Sequence, residues 1–315
     1  MEPTTPPAVP APETPAPQRQ TQNYLRGLLE ARGLRPNSRL GQSLLIDLNL
    51  LDLMVRTAEV GPEDLVLEVG SGTGSLTTKL AEKAGMVLGV EIDPGFHALG
   101  CEHTRNFPHV KILQTDILKN KNTLQPEVLE TLREGLARPG ITRLKIVANL
   151  PYVVATPVIS NFLLTDLPFT VMVVMVQWEL AERMTARPGT KDFNSLTVMI
   201  QSLGDARIIR RLPPHAFWPR PLVDSAILEV RPNLEKRAKV GDLPRFHRFV
   251  HDLYLHRRKN LRGALWPYYS TALSRAQLDK LLQDNGFNPS CRAEELSVEA
   301  HHKLCQVMAP IPRPE

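Results

Sequence analysis

Short apolar runs separated by helix-length segments constrain this chain most. They fall at Leu65–Val69, Met86–Val90, Val110–Leu113, Leu144–Ala148 and Val171–Val176. Strands that alternate with helices require a parallel sheet, because each crossover must return over a face. The runs are nearly continuous rather than alternating, so burial on both faces is expected. Two further β-like runs, Ala206–Leu212 and Ala226–Val230, flank a Pro-rich loop and predict an antiparallel hairpin closing the sheet. The fold class is therefore α/β.

Helical periodicity precedes the sheet. One helix is expected near Tyr24, with Leu25, Leu28 and Leu29 on one face, and a second over about Leu44–Thr57. Lys119–Gly140 is long for a connection and predicts an extra helix at Glu127–Leu136. Beyond Arg231 the composition changes. Arg231–Arg262 holds ten Lys/Arg against three Asp/Glu, more net charge than the +5 of the entire 315 residues. Helical stretches follow at Gln277–Leu282 and Val298–Val307. Three segments are expected: a disordered Pro-rich tail over 1–20, an α/β domain over 21–232, and a basic helical domain over 233–315, joined by a linker near Asn233–Gly241. The tail carries seven prolines in 18 residues and too little apolar surface to offset its ordering entropy.

Several classes are excluded. No apolar run approaches the ~18 residues that span a bilayer. Cys101, Cys291 and Cys305 are far apart, which argues against a disulfide framework or structural zinc. The N-terminal segment lacks both the order of a secretory signal and the Arg-rich look of a transit peptide, so a cytoplasmic location is expected.

The chemistry gathers at strand ends. The first strand runs into Glu68-Val69-Gly70-Ser71-Gly72-Thr73-Gly74, a glycine loop where open α/β sheets bind ligands. The second ends in Glu91-Ile92-Asp93, where an acid suits ribose hydroxyls. The third is followed by Asp116, whose carboxylate suits an adenine amine or, equally, a helix cap. No pyrophosphate-binding pattern accompanies them. Together they point to an adenosine-containing ligand, S-adenosyl-L-methionine in preference to NAD.

The fourth strand ends in Asn149-Leu150-Pro151-Tyr152. An aromatic amine is a poor nucleophile, since its lone pair is delocalised into the ring. The Asn149 side-chain oxygen and the Leu150 carbonyl can accept its two N–H groups and aim the lone pair at a methyl donor. Tyr152 would stack on the base. Phe217, in a loop stiffened by Pro219 and Pro221, would close its other face. Arg245, Arg248, Arg257, Arg258, Lys259 and Arg262 read as phosphate contacts.

These motifs, in this order, resemble the rRNA adenine N6,N6-dimethyltransferase family, in its small-subunit branch. The resemblance covers about 39–308. Its further markers are Leu40-Gly41-Gln42, Gln177 through Arg183, Phe217 through Ser225 and His256-Arg257-Arg258-Lys259. It implies a class I, Rossmann-like methyltransferase sheet with a small all-helical C-terminal domain. It implies dimethylation of N6 on two adjacent adenosines, in a hairpin loop near the 3′ end of small-subunit (16S) rRNA. The partner would be rRNA in an immature 30S-type particle, bound by a monomer with no metal and no membrane. By motif match Gln42, Ser43, Leu45, Glu68, Gly70, Gly72, Glu91, Asp116 and Asn149 would hold the cofactor. Asn149, Leu150, Tyr152 and Phe217 would hold the adenine. Two departures stand out: Ser43 replaces a usual Asn, and Leu44 a usual Phe. An Erm-type enzyme of large-subunit rRNA, or a non-enzymatic nucleic-acid-binding relative of the mitochondrial transcription factor type, would share much of this pattern.

Overall fold

The computed structural model describes residues 21–37 and 40–312; the expected tail lies outside them. Seven strands form the central sheet: β1 (Asp64–Val69), β2 (Met86–Glu91), β3 (Val110–Gln114), β4 (Arg143–Asn149), β5 (Phe169–Gln177), β6 (Gly204–Leu212) and β7 (Ser225–Pro232). Their order is β3-β2-β1-β4-β5-β7-β6. The first five are parallel, and β7 pairs antiparallel with both β5 and β6. All seven match expected runs.

Every residue of β1 and β2 is buried. Successive side chains divide between two cores, as a pleat requires. Leu65, Leu67, Ile146 and Val174 face one; Val66, Val147, Val173 and Met175 face the other. Lys145, placed inside β4, is neutralised by Asp64 at 2.9 Å, with Asp64 fully buried.

The helices are α1 (Gln22–Glu30), α2 (Leu48–Thr57), α3 (Ser75–Ala81), α4 (Pro94–Thr104), α5 (Pro126–Leu136), α6 (Tyr152–Leu164), α7 (Trp178–Met184), α8 (Ser195–Leu203), α9 (Leu234–Val240), α10 (Leu243–Leu255), α11 (Leu261–Tyr269), α12 (Arg275–Asp284) and α13 (Val298–Met308). The helix expected from Leu44 begins only at Leu48, where Asp47 caps it by accepting from Asn49 N at 3.0 Å. Leu44–Leu45 instead pairs as a strand with Phe217–Trp218. The Asn233–Gly241 connection is mostly helix α9, capped by Asn233. Helix α10 buries Phe246, Phe249, Val250 and Leu253, an i, i+3, i+4, i+7 stripe. That stripe joins the same core as β4 and β5, so the C-terminal helices pack onto the sheet body through continuous apolar contact. No described helix is long and apolar enough to cross a membrane.

Candidate active site

The strand order reverses between β1 and β4, so their carboxyl ends open a crevice. Three loops line it: 40–44, 70–72 and 149–154, with Glu91, Ile92 and Asp116 beside them. Gly70 has φ 78°, and a Cβ there would stand 3.2 Å from the Pro151 ring. Gly41 has φ 67°, and a Cβ there would meet Tyr152 N at 3.3 Å. Glycine thus lets both loops close onto the Asn149–Tyr152 turn.

Glu91 holds the glycine loop. Its Oε2 accepts from Gly72 N at 2.8 Å and its Oε1 from Asp93 N at 3.0 Å. Burial raises its pKa, and these backbone N–H groups oppose the rise. Asp116 is exposed on the rim, where its Oδ1 accepts from Leu118 N at 2.9 Å. Gln42 closes its own loop by accepting from Asn37 N at 2.7 Å.

Asn149 donates from Nδ2 to the Ser43 carbonyl at 2.8 Å. A carbonyl only accepts, so the amide edge facing Ser43 must be the NH2. The other edge, Oδ1, is the acceptor available to a ligand. Tyr152 OH lies 2.6 Å from Ser225 Oγ, which fixes the ring. Burial raises the phenol's pKa, against the Ser225 hydrogen bond, so it stays neutral.

Gln42, Ser43, Gly70, Gly72, Glu91, Asp116, Asn149, Leu150 and Tyr152 all line the cleft. Three expected residues do not. Glu68 is 2% exposed beneath the loop and accepts from Thr77 Oγ1 at 2.5 Å. Its pKa is pushed up to about 8, chiefly by burial. Leu45 points into the core beside α2. Phe217 is 3% exposed in that same core and offers no stacking face. Its strand pairing with Leu45 satisfies the backbone, and the ring follows the pleat inward. Sequence reasoning had not singled out Ile92 and Val153, which line the cleft with 44% and 63% exposure. Each directly adjoins a residue that it had: Ile92 follows Glu91, and Val153 follows Tyr152.

The donor set can be tested against the expected cofactor. No Lys or Arg occurs among the described lining residues, while two carboxylates do. Such a cleft suits a cationic adenosyl sulfonium and disfavours a pyrophosphate. Apolar Ile92 and Val153 suit the flat face of a base.

The basic candidates separate into two groups. Arg245 donates to the Ala309 carbonyl. Arg257 pairs with Glu294 at 2.8 Å and donates to the Lys191 carbonyl. Arg262 pairs with Asp279 at 2.5 Å. These three tie the C-terminal helices together or to the 185–194 loop, which corrects their reading as plain phosphate contacts. Arg248, Arg258 and Lys259 are exposed.

Comparison with known proteins agrees with this geometry. The model of the family "Ribosomal RNA adenine dimethylase" matches residues 33–309. A "Ribosomal RNA small subunit methyltransferase A" of Pediococcus pentosaceus is 38% identical over 280 residues, 89% of this chain and 92% of its own. Its namesake from Halothermothrix orenii is 32% identical over 274 residues, 86% and 88% of the two chains. A dimethyladenosine transferase from Plasmodium falciparum superposes with a TM-score of 0.69 at 21% identity, over 85% of this chain and 98% of that one. The 23S rRNA methyltransferase ErmE gives 0.61 at 23%, over 84% and 99%. Both share the fold. With its glycine loop, strand-end acids and Asn149–Tyr152 turn set at one crevice, the chain belongs to the ribosomal RNA adenine dimethylase family.

Proposed function

We propose that this protein dimethylates N6 of two adjacent adenosines in a hairpin loop near the 3′ end of small-subunit rRNA. It would use S-adenosyl-L-methionine and act as a monomer on an immature small subunit in the cytoplasm. The observation that carries the reading is the fixed Asn149 amide, whose Nδ2 is held by Ser43 and whose Oδ1 is left as an acceptor.

The methyl donor, when bound, supplies an electrophilic methyl on a sulfonium. Asn149 Oδ1 and the Leu150 carbonyl accept the two N–H groups of the adenine amine. Those hydrogen bonds favour a pyramidal nitrogen and orient its lone pair. Pro151 stiffens the turn that presents them. Tyr152, neutral and held by Ser225, stacks on the base and does not take its proton. On transfer the S–CH3 bond would break to leave a neutral thioether, and the methylated nitrogen would release one N–H proton to solvent, so rate enhancement comes from positioning and fixed dipoles rather than from a general base. Glu91, Asp116, Ile92 and the Gly70–Gly72 backbone would hold the donor, and Gln42 and Ser43 would close over it. Residues 21–232 would carry the chemistry, and 233–315 would face RNA through Arg248, Arg258 and Lys259.

ErmE shares the fold but acts, by its name, on 23S rRNA. The Pediococcus pentosaceus and Halothermothrix orenii relatives, both above 30% identity, are named for the small subunit, which favours that substrate. The test is incubation with labelled S-adenosyl-L-methionine and either unmodified small subunits or large-subunit rRNA, followed by digestion. Dimethyladenosine from the small subunit is expected. Label confined to large-subunit rRNA would sink the reading.

A further inference from the structure

The segment Pro219–Asp224 joins the Phe217–Trp218 strand to β7, and both its ends are fastened to the cleft wall. At its start the Pro219 carbonyl accepts from Ser43 Oγ at 2.7 Å. At its end Ser225 Oγ meets Tyr152 OH at 2.6 Å. Ser43 and Tyr152 both line the cleft. Asp224 is held twice more. Its carboxylate pairs with Arg211 at 2.6 Å, and its carbonyl accepts from Trp178 N at 2.9 Å. The Arg211 guanidinium in turn lies 4.5 Å over the Trp178 ring. A loop held this way has a defined place at the mouth of the site.

Its apex is apolar. Leu222 is 101% exposed and Val223 is 45% exposed, beside the exposed Arg220. A scattered exposed leucine needs no explanation. Here two adjacent apolar side chains top a braced loop whose stems touch Ser43, which would close over the donor, and Tyr152, which would stack on the base. Leu222 buries nothing in the protein by itself, so packing does not account for its position.

We propose that Leu222, backed by Val223, is a wedge that enters the RNA stack as the target adenosine leaves it. The proposal rests on the adenine N6 transfer proposed above. A stacked adenine cannot bring N6 into a cleft, so the base must be extruded. Extrusion bares the apolar faces of its neighbours. An apolar side chain placed between them replaces the lost stacking and stabilises the opened form. Arg220 stands next to the wedge with a charge suited to the adjoining phosphate. The bracing matters because a wedge works only if the loop does not yield when pressed into the stack.

The test is single-turnover methyl transfer on enzyme-saturated small subunits lacking dimethyladenosine, with labelled S-adenosyl-L-methionine. Affinities for subunit and for S-adenosyl-L-methionine are measured alongside. Unstacking costs enough that Leu222→Ser is expected to slow transfer at least about tenfold while moving either affinity less than about twofold. Leu222→Phe, which restores an apolar insert, is expected within about threefold of the wild type. A fully exposed position leaves folding out of the comparison. An unchanged rate for Leu222→Ser overturns the wedge while leaving the dimethylation reading intact. So does a loss of subunit affinity that accounts for the slower rate. A wild-type protein that transfers no methyl overturns the parent reading, and the wedge with it.

Discussion

Asn149 Nδ2 donates to the backbone carbonyl of Ser43 at 2.8 Å, so the fourth-strand turn and the 40–44 loop share one hydrogen bond at the mouth of the cleft. The bond determines which edge of the amide faces a ligand. Asn149→Ala removes the acceptor for the adenine amine but no RNA-facing charge. Transfer should fall by at least about 10²-fold, as when one preorganised hydrogen-bonding group is lost from an active site. Affinity for the small subunit should stay within about twofold, since phosphate contacts dominate it. Single-turnover kinetics and a binding titration check both halves, and lost RNA binding would count against the assignment.

The same bond explains how serine can stand at position 43. The group that orients Asn149 belongs to the backbone, and the Ser43 hydroxyl is used elsewhere, on the Pro219 carbonyl. Ser43→Ala should therefore lower the transfer rate by about fivefold at most, the worth of one ordinary hydrogen bond. A loss as deep as that of Asn149→Ala would show that the side chain itself contacts a ligand.

The basic run Arg257-Arg258-Lys259 should divide by function. Replacing Arg258 and Lys259 with alanine should reduce the salt-dependence slope of RNA binding by roughly 1.5 to 2 units, with little effect on stability. Arg257→Ala instead breaks the pair with Glu294 and frees the Lys191 carbonyl. Its expected cost is about 1 kcal/mol, or a melting shift of a few degrees, for a half-exposed charged hydrogen bond. Thermal unfolding and binding titrations over salt separate the two. A slope unchanged in the double variant would make those charges solvated surface only.

The sheet was readable because burial on both faces writes each strand as an apolar run. Even Lys145 did not obscure β4, since one buried charge is cancelled locally by Asp64. The cleft was readable where glycine or an acid ends a strand. Side-chain direction was not. Phe217 looked like a base-stacking residue, but pairing with Leu45 sends its ring into the core, and that partner lies far away in sequence. Glu68 sits beside the glycine loop in sequence, yet the strand pleat turns it beneath the loop. Arg257 and Arg262 read as free cations because Glu294 and Asp279 are 37 and 17 residues away.

Glu68 should make the protein less stable as pH rises. Burial lifts its pKa from an ordinary 4.5 to about 8, opposed by the Thr77 hydrogen bond and assisted by Glu91. Between those values the folded chain keeps a proton that the unfolded chain releases, so rising pH favours unfolding. The loss spans about pH 4.5 to 8 and is on the order of 5 kcal/mol at most. Glu68→Gln keeps an acceptor for Thr77 Oγ1 and cannot ionise. Its melting temperature should fall less than the wild type's between pH 5 and pH 8. Parallel curves would show that Glu68 does not hold the extra proton.

His301 should act in the opposite direction, at the C-terminal helices. It is fully buried on α13, with its Nδ1 2.8 Å from the Ser297 carbonyl and its Nε2 3.3 Å from Tyr254 OH on α10. The Tyr254 ring stacks on it, and Phe193 lies against it at a tilt. Burial pushes its pKa down to about 4; the Ser297 carbonyl opposes this and His302 adds to it. Below its ordinary value of 6.5 the unfolded chain takes up a proton that the folded chain refuses. Stability from the neutral ring is therefore complete above pH 6.5 and is lost as pH falls toward 4, by on the order of 3 kcal/mol. His301→Phe fills the site and cannot titrate, though it forfeits two hydrogen bonds. It should be less stable than the wild type at pH 7.5 and should close that gap by pH 5. Unfolding midpoints at the two pH values decide the matter, and a gap of constant size would rule out His301 as the source of acid sensitivity.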